Sequence, residues 1–347
     1  MRLVYVSYLQ PNYSRSSVHF EFLSKNNTFD FEVDFKKFPS GIFRKIWPLI
    51  QLYITYRKGK CVFVVMSPAS SLVAYLRILG FRRIIFDGGW PLSDSAEIRE
   101  SSILKKYYVW LIDYISIHLS SIYICESNEQ LDFVQNKFHV HKEKLRTIYT
   151  GFSDSELEEK NEPGINLLNE LGSKKYVLFR GKPNVEAGLS TIVEAAELLE
   201  EKISFVIASP GFKLEYPRKN IILIDVFLSW YEISGLYRDA FAVIGQMSDL
   251  NRVSRTIPHK FYEAAYFGKA YVTAFSVPIR NLLGNDVFEV QGGNPTALAE
   301  KISFLIDQPQ IKTQAESAMN EAFKNRFKSE VLANQILEIA RGLSNSS

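Results

Sequence analysis

Short apolar runs rich in Val, Ile, Phe and Tyr recur along the chain, and between them an apolar residue returns every third or fourth position. The first pattern is that of buried strands, the second that of helices packed on one side. In the first half the runs are RLVYVSY (2–8), FDFEVDF (29–35), CVFVVMS (61–67), RRIIFD (82–87) and SIYICES (121–127), with helical periods over 41–58, 69–79 and 101–119. The alternation breaks at IYTGFSDSELEEKNEPGIN (148–166), a mixture of Gly, Ser, Asp, Glu and Pro. It restarts with KYVLFRG (175–181), ISFVIAS (203–209), NIILIDV (220–226), FAVIGQ (241–246), AYVTAF (270–275) and DVFEVQ (286–291), and ends in helical sequence. Strand–helix alternation predicts α/β units with parallel, doubly wound sheets, and the break predicts two of them facing a cleft. The expected domains are 1–152 and 166–330, with a linker over 153–165 and a closing helix over 331–347.

Composition narrows the class. The chain has 347 residues, 46% hydrophobic and 23% charged, as expected of a globular protein of about two domains. A net charge of +3 is too small to argue for a nucleic-acid partner. Cys61 and Cys125 sit in apolar runs without CxxC spacing or a neighbouring His, which reads as packed free thiols in a reducing compartment. The N-terminal apolar run is short for a signal peptide, and no run reaches the roughly 18–20 apolar residues of a membrane span. Cytoplasmic residence is the expectation. His118, His139 and His141 have no partners at metal-ligand spacing.

The segment IPHKFYEAAYFGKAYVTAF (257–275) carries the most chemistry. Pro258 suits the first position of a helix and Gly268 its end, and Tyr271 to Phe275 reads as a strand. Phe261, Ala264, Ala265 and Gly268 share one helical face, and Glu263 lies about 150° away at 100° per residue. Glu263 is therefore expected outside the core, facing water or a cleft.

In order along the chain, YVLFRGKPNVEAGLSTIVEAAELL, FVIASPGF, PHKFYEAAYFGKAYVTAF and VQGGNPTALAEKISFLI resemble the retaining glycosyltransferases of the GT-B fold, family 4 (glycosyl transferases group 1). The resemblance covers residues 120–340 well and the first 119 weakly. It implies two Rossmann-like domains, a nucleotide-sugar donor as co-substrate, and a mechanism that requires no metal and no other cofactor. Departure of a nucleoside diphosphate needs backbone N–H groups and cations around the phosphates. The turn Ser254-Arg255-Thr256-Ile257 could supply the N–H groups, and Lys182 and Lys260 the charge. In the family an Arg and a Lys clamp the diphosphate; Lys182 stands at the first position, Ala187 at the second, and Arg180 is close enough to compensate. Of the family's two glutamates, the second, which grips the ribose, matches Glu263. The first, which contacts the donor sugar, is Arg255 here, next to Ser254.

The first half supplies the acceptor side. Asp87, in FDGGWPLSDSAEI (86–98), ends a strand where a doubly wound sheet places its ligands, and it could orient or deprotonate an acceptor hydroxyl, with Trp90 nearby. The loop YLQPNYSRSS (8–17) lacks the family's paired glycines; Ser14 and Arg15 leave it polar and suited to an acceptor or diphosphate. His19, on the following helix, reads as packed or solvated. Residues 36–60 hold seven Lys or Arg and no Asp or Glu, interleaved with aromatic and aliphatic residues, and LKKYYVWLIDYI (104–115) is similar in character. These stretches read either as two buried helices with charged ends or as a docking face for an anionic membrane, at the inner side of which a lipid-linked acceptor would lie. The functional reading is transfer of a sugar to a glycan or lipid-linked acceptor in cell-surface polysaccharide or glycolipid synthesis. The alternatives are a nucleotide-sugar epimerase or hydrolase, and a degenerate GT-B protein that binds a partner or membrane without turnover.

Overall fold

The computed structural model describes residues 1–10, 15–26, 30–41, 43–98, 102–153 and 175–345, and they divide into two compact units. The first comprises Met1–Gly151 and Ser329–Ser347, the second Phe152–Lys328. The linker placed at 153–165 lies, from residue 154 on, outside the described residues. The closing helix is part of the first unit, a boundary that sequence pattern alone assigns to neither.

The first unit holds a parallel sheet of β1 (Arg2–Ser7), β2 (Glu32–Lys37), β3 (Cys61–Met66), β4 (Ile84–Gly89), β5 (Ile122–Cys125) and β6 (Leu145–Thr147), in the order β2-β1-β3-β4-β5-β6. Every residue of β3 and β4 is buried, as central parallel strands covered on both faces require. The edge strand β2 carries Glu32, Lys36 and Lys37, charges that discourage pairing with another sheet. Helices α2 (Ile46–Tyr56), α3 (Leu72–Ile78), α5 (Ile103–Leu119) and α6 (Asn128–Phe138) bury Leu52, Leu76, Ile117 and Val134 on one face of the sheet. On the other face, α1 (Ser17–Lys25) and α13 (Ser329–Asn345) bury Val18 and Leu23 with Leu332, Ile336 and Leu337. A short helix α4 (Leu92–Ile98) precedes α5. Cys61 and Cys125 are free and buried, and burial pushes both thiols up.

The second unit repeats the plan with β7 (Tyr176–Arg180), β8 (Ser204–Ala208), β9 (Ile221–Ile224), β10 (Ala242–Ile244), β11 (Tyr271–Ala274) and β12 (Phe288–Val290), parallel in the order β12-β11-β10-β7-β8-β9. Its helices are α7 (Leu189–Leu198), α8 (Trp230–Asp239), α9 (His259–Tyr266), α10 (Val277–Leu283), α11 (Pro295–Asp307) and α12 (Pro309–Ala322). The strand order reverses between β7 and β10. Diverging crossovers leave a crevice at the carboxyl ends of such a pair, the place where doubly wound sheets hold ligands.

Candidate functional site

The carboxyl end of β7 carries Arg180 and Gly181. Gly181 has φ +154, a conformation that strains other residues, and a Cβ there would come within 3.1 Å of Lys260 Nζ and press the ammonium aside. The loop then turns at Asn184, whose Oδ1 accepts from the Ala187 N–H at 3.0 Å, and reaches α7 through Gly188 at φ +61. A Cβ on Gly188 would lie 2.5 Å from the Met247 carbonyl carbon, so the loop after β10 seats directly on the start of α7. The Met247 N–H donates to Ala187 O at 3.1 Å and completes the contact. Two loops from the strands flanking the reversal are thus locked together by one glycine.

Helix α9 reaches this place from the side. Lys260, in its first turn, lays its ammonium 3.6 Å from the centroid of the Phe179 ring and beside Gly181. It has no hydrogen-bond or ion-pair partner among the described residues. Burial of the stem pushes its pKa down to about 7; Glu263 acts upwards and Arg180 further downwards. Lys182 is exposed one residue beyond Gly181.

Glu263 lies inside the protein, with no exposure at all. One carboxylate oxygen accepts from Arg180 Nη1 and from His259 Nδ1, the latter at 3.0 Å, and the other accepts from Tyr237 OH. Burial alone would raise its pKa, but Arg180, His259 and Tyr237 outweigh that and hold it ionised far below the usual carboxylate range. The expectation that Glu263 stands outside the core is therefore corrected. Periodicity identified the apolar face of α9 correctly. The opposite face is also covered, by Tyr237 of α8 and by Phe152, which packs on Trp230, His259 and Tyr266. With its oxygens engaged by protein donors, Glu263 holds Arg180, whose guanidinium also lies 5.1 Å from the Trp230 ring centroid. A capping box at Ser229 and Glu232 fixes the start of α8 and so places Trp230 and Tyr237.

The turn expected to offer N–H groups has spent two of them. The N–H groups of Arg255 and Thr256 donate to Arg252 O at 3.1 Å and Val253 O at 3.3 Å within a single 3-10 turn. Ser254 Oγ donates to Asn251 O at 2.7 Å, and Thr256 Oγ1 contacts Gln246 Oε1 at 3.2 Å, tying the turn to the end of β10. Arg255 is half-buried. Ala187 is buried in the core, so no cation comes from that position.

In the first unit, Asp87 ends β4 with 1% exposure. Its Oδ1 lies 3.2 Å from Arg15 Nη1, and its Oδ2 accepts from Ser16 Oγ and from His19 Nε2, the latter at 3.1 Å. Arg15 Nη2 donates to Ile148 O at 2.5 Å, and His19 Nδ1 meets Tyr5 OH at 2.9 Å. The chain is satisfied with Tyr5 donating to His19 and His19 to Asp87. Burial acts to raise the Asp87 pKa, but Arg15, His19 and Ser16 together hold it at about 2. Ionised and ion-paired, Asp87 fits the first of the two roles expected of it, orienting a neighbouring group, better than the second. Arg15 is likewise committed, to Asp87 and the backbone. Trp90 Nε1 donates to Glu126, which also accepts from Thr150 Oγ1 at 2.8 Å. Ser14 lies outside the described residues. Sequence reasoning missed Tyr237, Trp230 and Tyr5, which carry no local signal; His259, four residues before Glu263, was legible as an i,i+4 partner.

Among the described residues no three His, Cys, Asp or Glu gather as metal ligands, and no helix is long and apolar enough to cross a membrane.

Solved structures share this architecture. The chain superposes on Anabaena Alr3699/HepE in complex with UDP with a TM-score of 0.73 and 13% identity, over 99% of this chain and 100% of that one. It superposes on a glycosyltransferase from Rickettsia africae ESF-5 with a TM-score of 0.69 and 13% identity, over 100% and 99%. Against sucrose-phosphate synthase from Thermosynechococcus elongatus the TM-score is 0.75 at 10% identity, over the whole of both chains. The chain thus has the GT-B fold, two Rossmann-like α/β units in succession. No family model matches the sequence, and no curated protein matches it.

Proposed function

We propose that the protein is a glycosyltransferase that moves a sugar from a nucleotide-sugar donor, with the diphosphate held at the β7–β10 reversal of the second unit. The observation that carries this reading is Lys260, a cation delivered to Gly181 with no hydrogen-bond or ion-pair partner among the described residues. A diphosphate seated there would meet Lys260 and Lys182, with Arg180 held alongside by Glu263. As the glycosidic C–O bond breaks, charge grows on the leaving phosphate, and fixed cations in a partly dry site lower the barrier. The motif resemblance to family 4 supports retention of configuration and a reaction needing no metal. The UDP and UDP-glucose complexes of Alr3699/HepE, which shares the fold, support a nucleotide sugar as donor. The acceptor is a glycan or a lipid-linked acceptor of cell-surface polysaccharide or glycolipid synthesis, met on the cytoplasmic side at a membrane face.

Calorimetric titration with UDP, GDP, TDP and ADP tests the donor site, with Lys260→Met as control. One nucleotide binding to the native chain and weakened in the variant is the expected result; no binding by any of the four overturns the proposal. Ala187 and Arg255, which replace charged residues of the family motif, favour one second reading, a GT-B protein that binds nucleotide without turnover. Nucleotide binding with no product from any donor and acceptor mixture would select it.

A further inference from the structure

The helical layer on one face of the first sheet leaves an apolar surface uncovered. Phe43, just before α2, is 85% exposed, and Trp47 and Ile54 on α2 are 66% and 62% exposed. On α5, Leu104, Tyr107 and Tyr108 are 82%, 63% and 62% exposed. Residues 47 and 54 lie two turns apart, and 104, 107 and 108 share one helical side. Helix α5 buries only a narrow stripe, Ile117 together with Asp113, which accepts from the Ser93 N–H at 2.7 Å, and Ser116, while its Leu and Tyr side chains face outwards. Single exposed apolar residues are ordinary, but a run of them along two helices of one layer marks a docking surface.

Charge identifies what docks. Residues 36–60 contain no acidic residue, and the one acid of α5 is the buried Asp113. Arg44, Arg57, Lys58 and Lys105 are exposed around the apolar residues. A groove of about 450 Å³ beside α2 sets Lys36 and Lys37 next to Pro48 and Ile54. A second copy meeting this face across a twofold axis would bring cations against cations. An anionic lipid surface complements both features at once, with aromatic rings at the headgroup level and cations among the phosphates.

We infer that the α2–α5 face of the first unit docks on an anionic bilayer, both helices lying in the plane of the interface. The inference is independent of the nucleotide site, since all its residues belong to the other unit. Sedimentation of the full chain with phosphatidylglycerol-containing vesicles at low salt tests it, against pure phosphatidylcholine. Binding only to the anionic vesicles, with a blue shift of tryptophan emission that disappears in Trp47→Phe, is expected. Arg44→Ala with Lys105→Ala is expected to weaken binding about thirty-fold, from about one basic-residue contribution each. Trp47→Glu with Tyr108→Glu should abolish it at an unchanged melting temperature, because both side chains are exposed. No binding to anionic vesicles, or equal binding to both kinds, overturns the inference. So does a dimer in analytical ultracentrifugation that Trp47→Glu dissolves, which would make the face an interface between copies.

Discussion

Lys260 gives the sharpest prediction, because its charge is conditional. A lysine with a pKa of about 7 is half protonated at neutral pH, whereas an ordinary lysine is fully charged there. About nine molecules in ten carry the ammonium at pH 6 and about one in ten at pH 8. If the diphosphate requires the charged form, affinity for a nucleotide sugar falls about tenfold between those pH values. UDP-glucose is the suitable probe, since its esterified diphosphate does not titrate in this range. The sign is fixed by linkage: an anion beside Lys260 raises its pKa, so binding at pH 7 takes up about half a proton. Calorimetry in two buffers of different ionisation heat reads that uptake directly. In Lys260→Met the residual binding should lose both the proton uptake and the slope. A pH-independent affinity in the native chain, matched by undiminished binding in the variant, would refute the placement of the diphosphate beside Gly181. The same lysine acts oppositely on stability. Its pKa is depressed in the folded state, so it destabilises the fold fully below about pH 7, and the penalty fades as pH rises from there towards the ordinary lysine value of 10.5. Lys260→Met is therefore expected to melt no lower than the native chain at pH 6 while binding less well.

Other substitutions probe the scaffold of the two units. Glu263→Gln leaves Arg180 without its buried counter-charge, and with Arg180 partly exposed the cost is about 2–3 kcal/mol, read as a lower denaturant midpoint. Asp87 has its pKa held at about 2 against an ordinary 3.8, so it stabilises the first unit by about 2.5 kcal/mol above pH 5, a contribution lost as pH falls from there to about 2. Asp87→Asn should unfold more easily at pH 7 and show a flatter acid-denaturation profile; an unchanged profile would count against the Arg15 pairing. Gly188→Ala forces a Cβ into the Met247 backbone at positive φ and is expected to cost about 2 kcal/mol or more, with nucleotide affinity falling at the same time because the β7 and β10 loops separate.

The sheets were legible because central parallel strands are continuous apolar runs, and each of the eleven expected runs contains or overlaps an observed strand. Only β6 was missed: three residues, Leu145 to Thr147, give no period to read. The end of β7 was legible too, since Arg180 and Gly181 follow a buried run at the point where a doubly wound sheet reverses. What sequence could not give was the second coat over α9. Helical period reports which side of a helix is apolar, and it does not report that a tyrosine and an arginine 26 and 83 residues upstream arrive to satisfy a carboxylate on the other side. The same blindness made Asp87 look free.

The departures from the motif that the sequence resembles make sense once charges are counted by place and not by position in the motif. Where that motif has a lysine in the loop after β7, Ala187 fills a core slot packed under α7. A lysine from the first turn of α9 reaches the same strand end instead, and Gly181 makes room for it. That substitution has a consequence for its neighbour. An unpaired Lys260 close to Arg180 would leave two cations together in a partly dry site; Glu263, fully buried and ionised, offsets them. The Glu263 oxygens are engaged in holding Arg180, His259 and Tyr237. Glu263 and Lys260 therefore form one electrostatic unit, so Lys260→Met and Glu263→Gln should not be additive. With Lys260 gone, Arg180 and Glu263 remain as a balanced pair, whereas with Glu263 gone two cations are left facing each other. In a double-mutant cycle on stability at pH 6, the loss caused by Glu263→Gln should shrink by about 1 kcal/mol or more when Lys260 is already Met. Strict additivity would mean that the two groups do not sense each other and that Glu263 does not favour the charged form of Lys260.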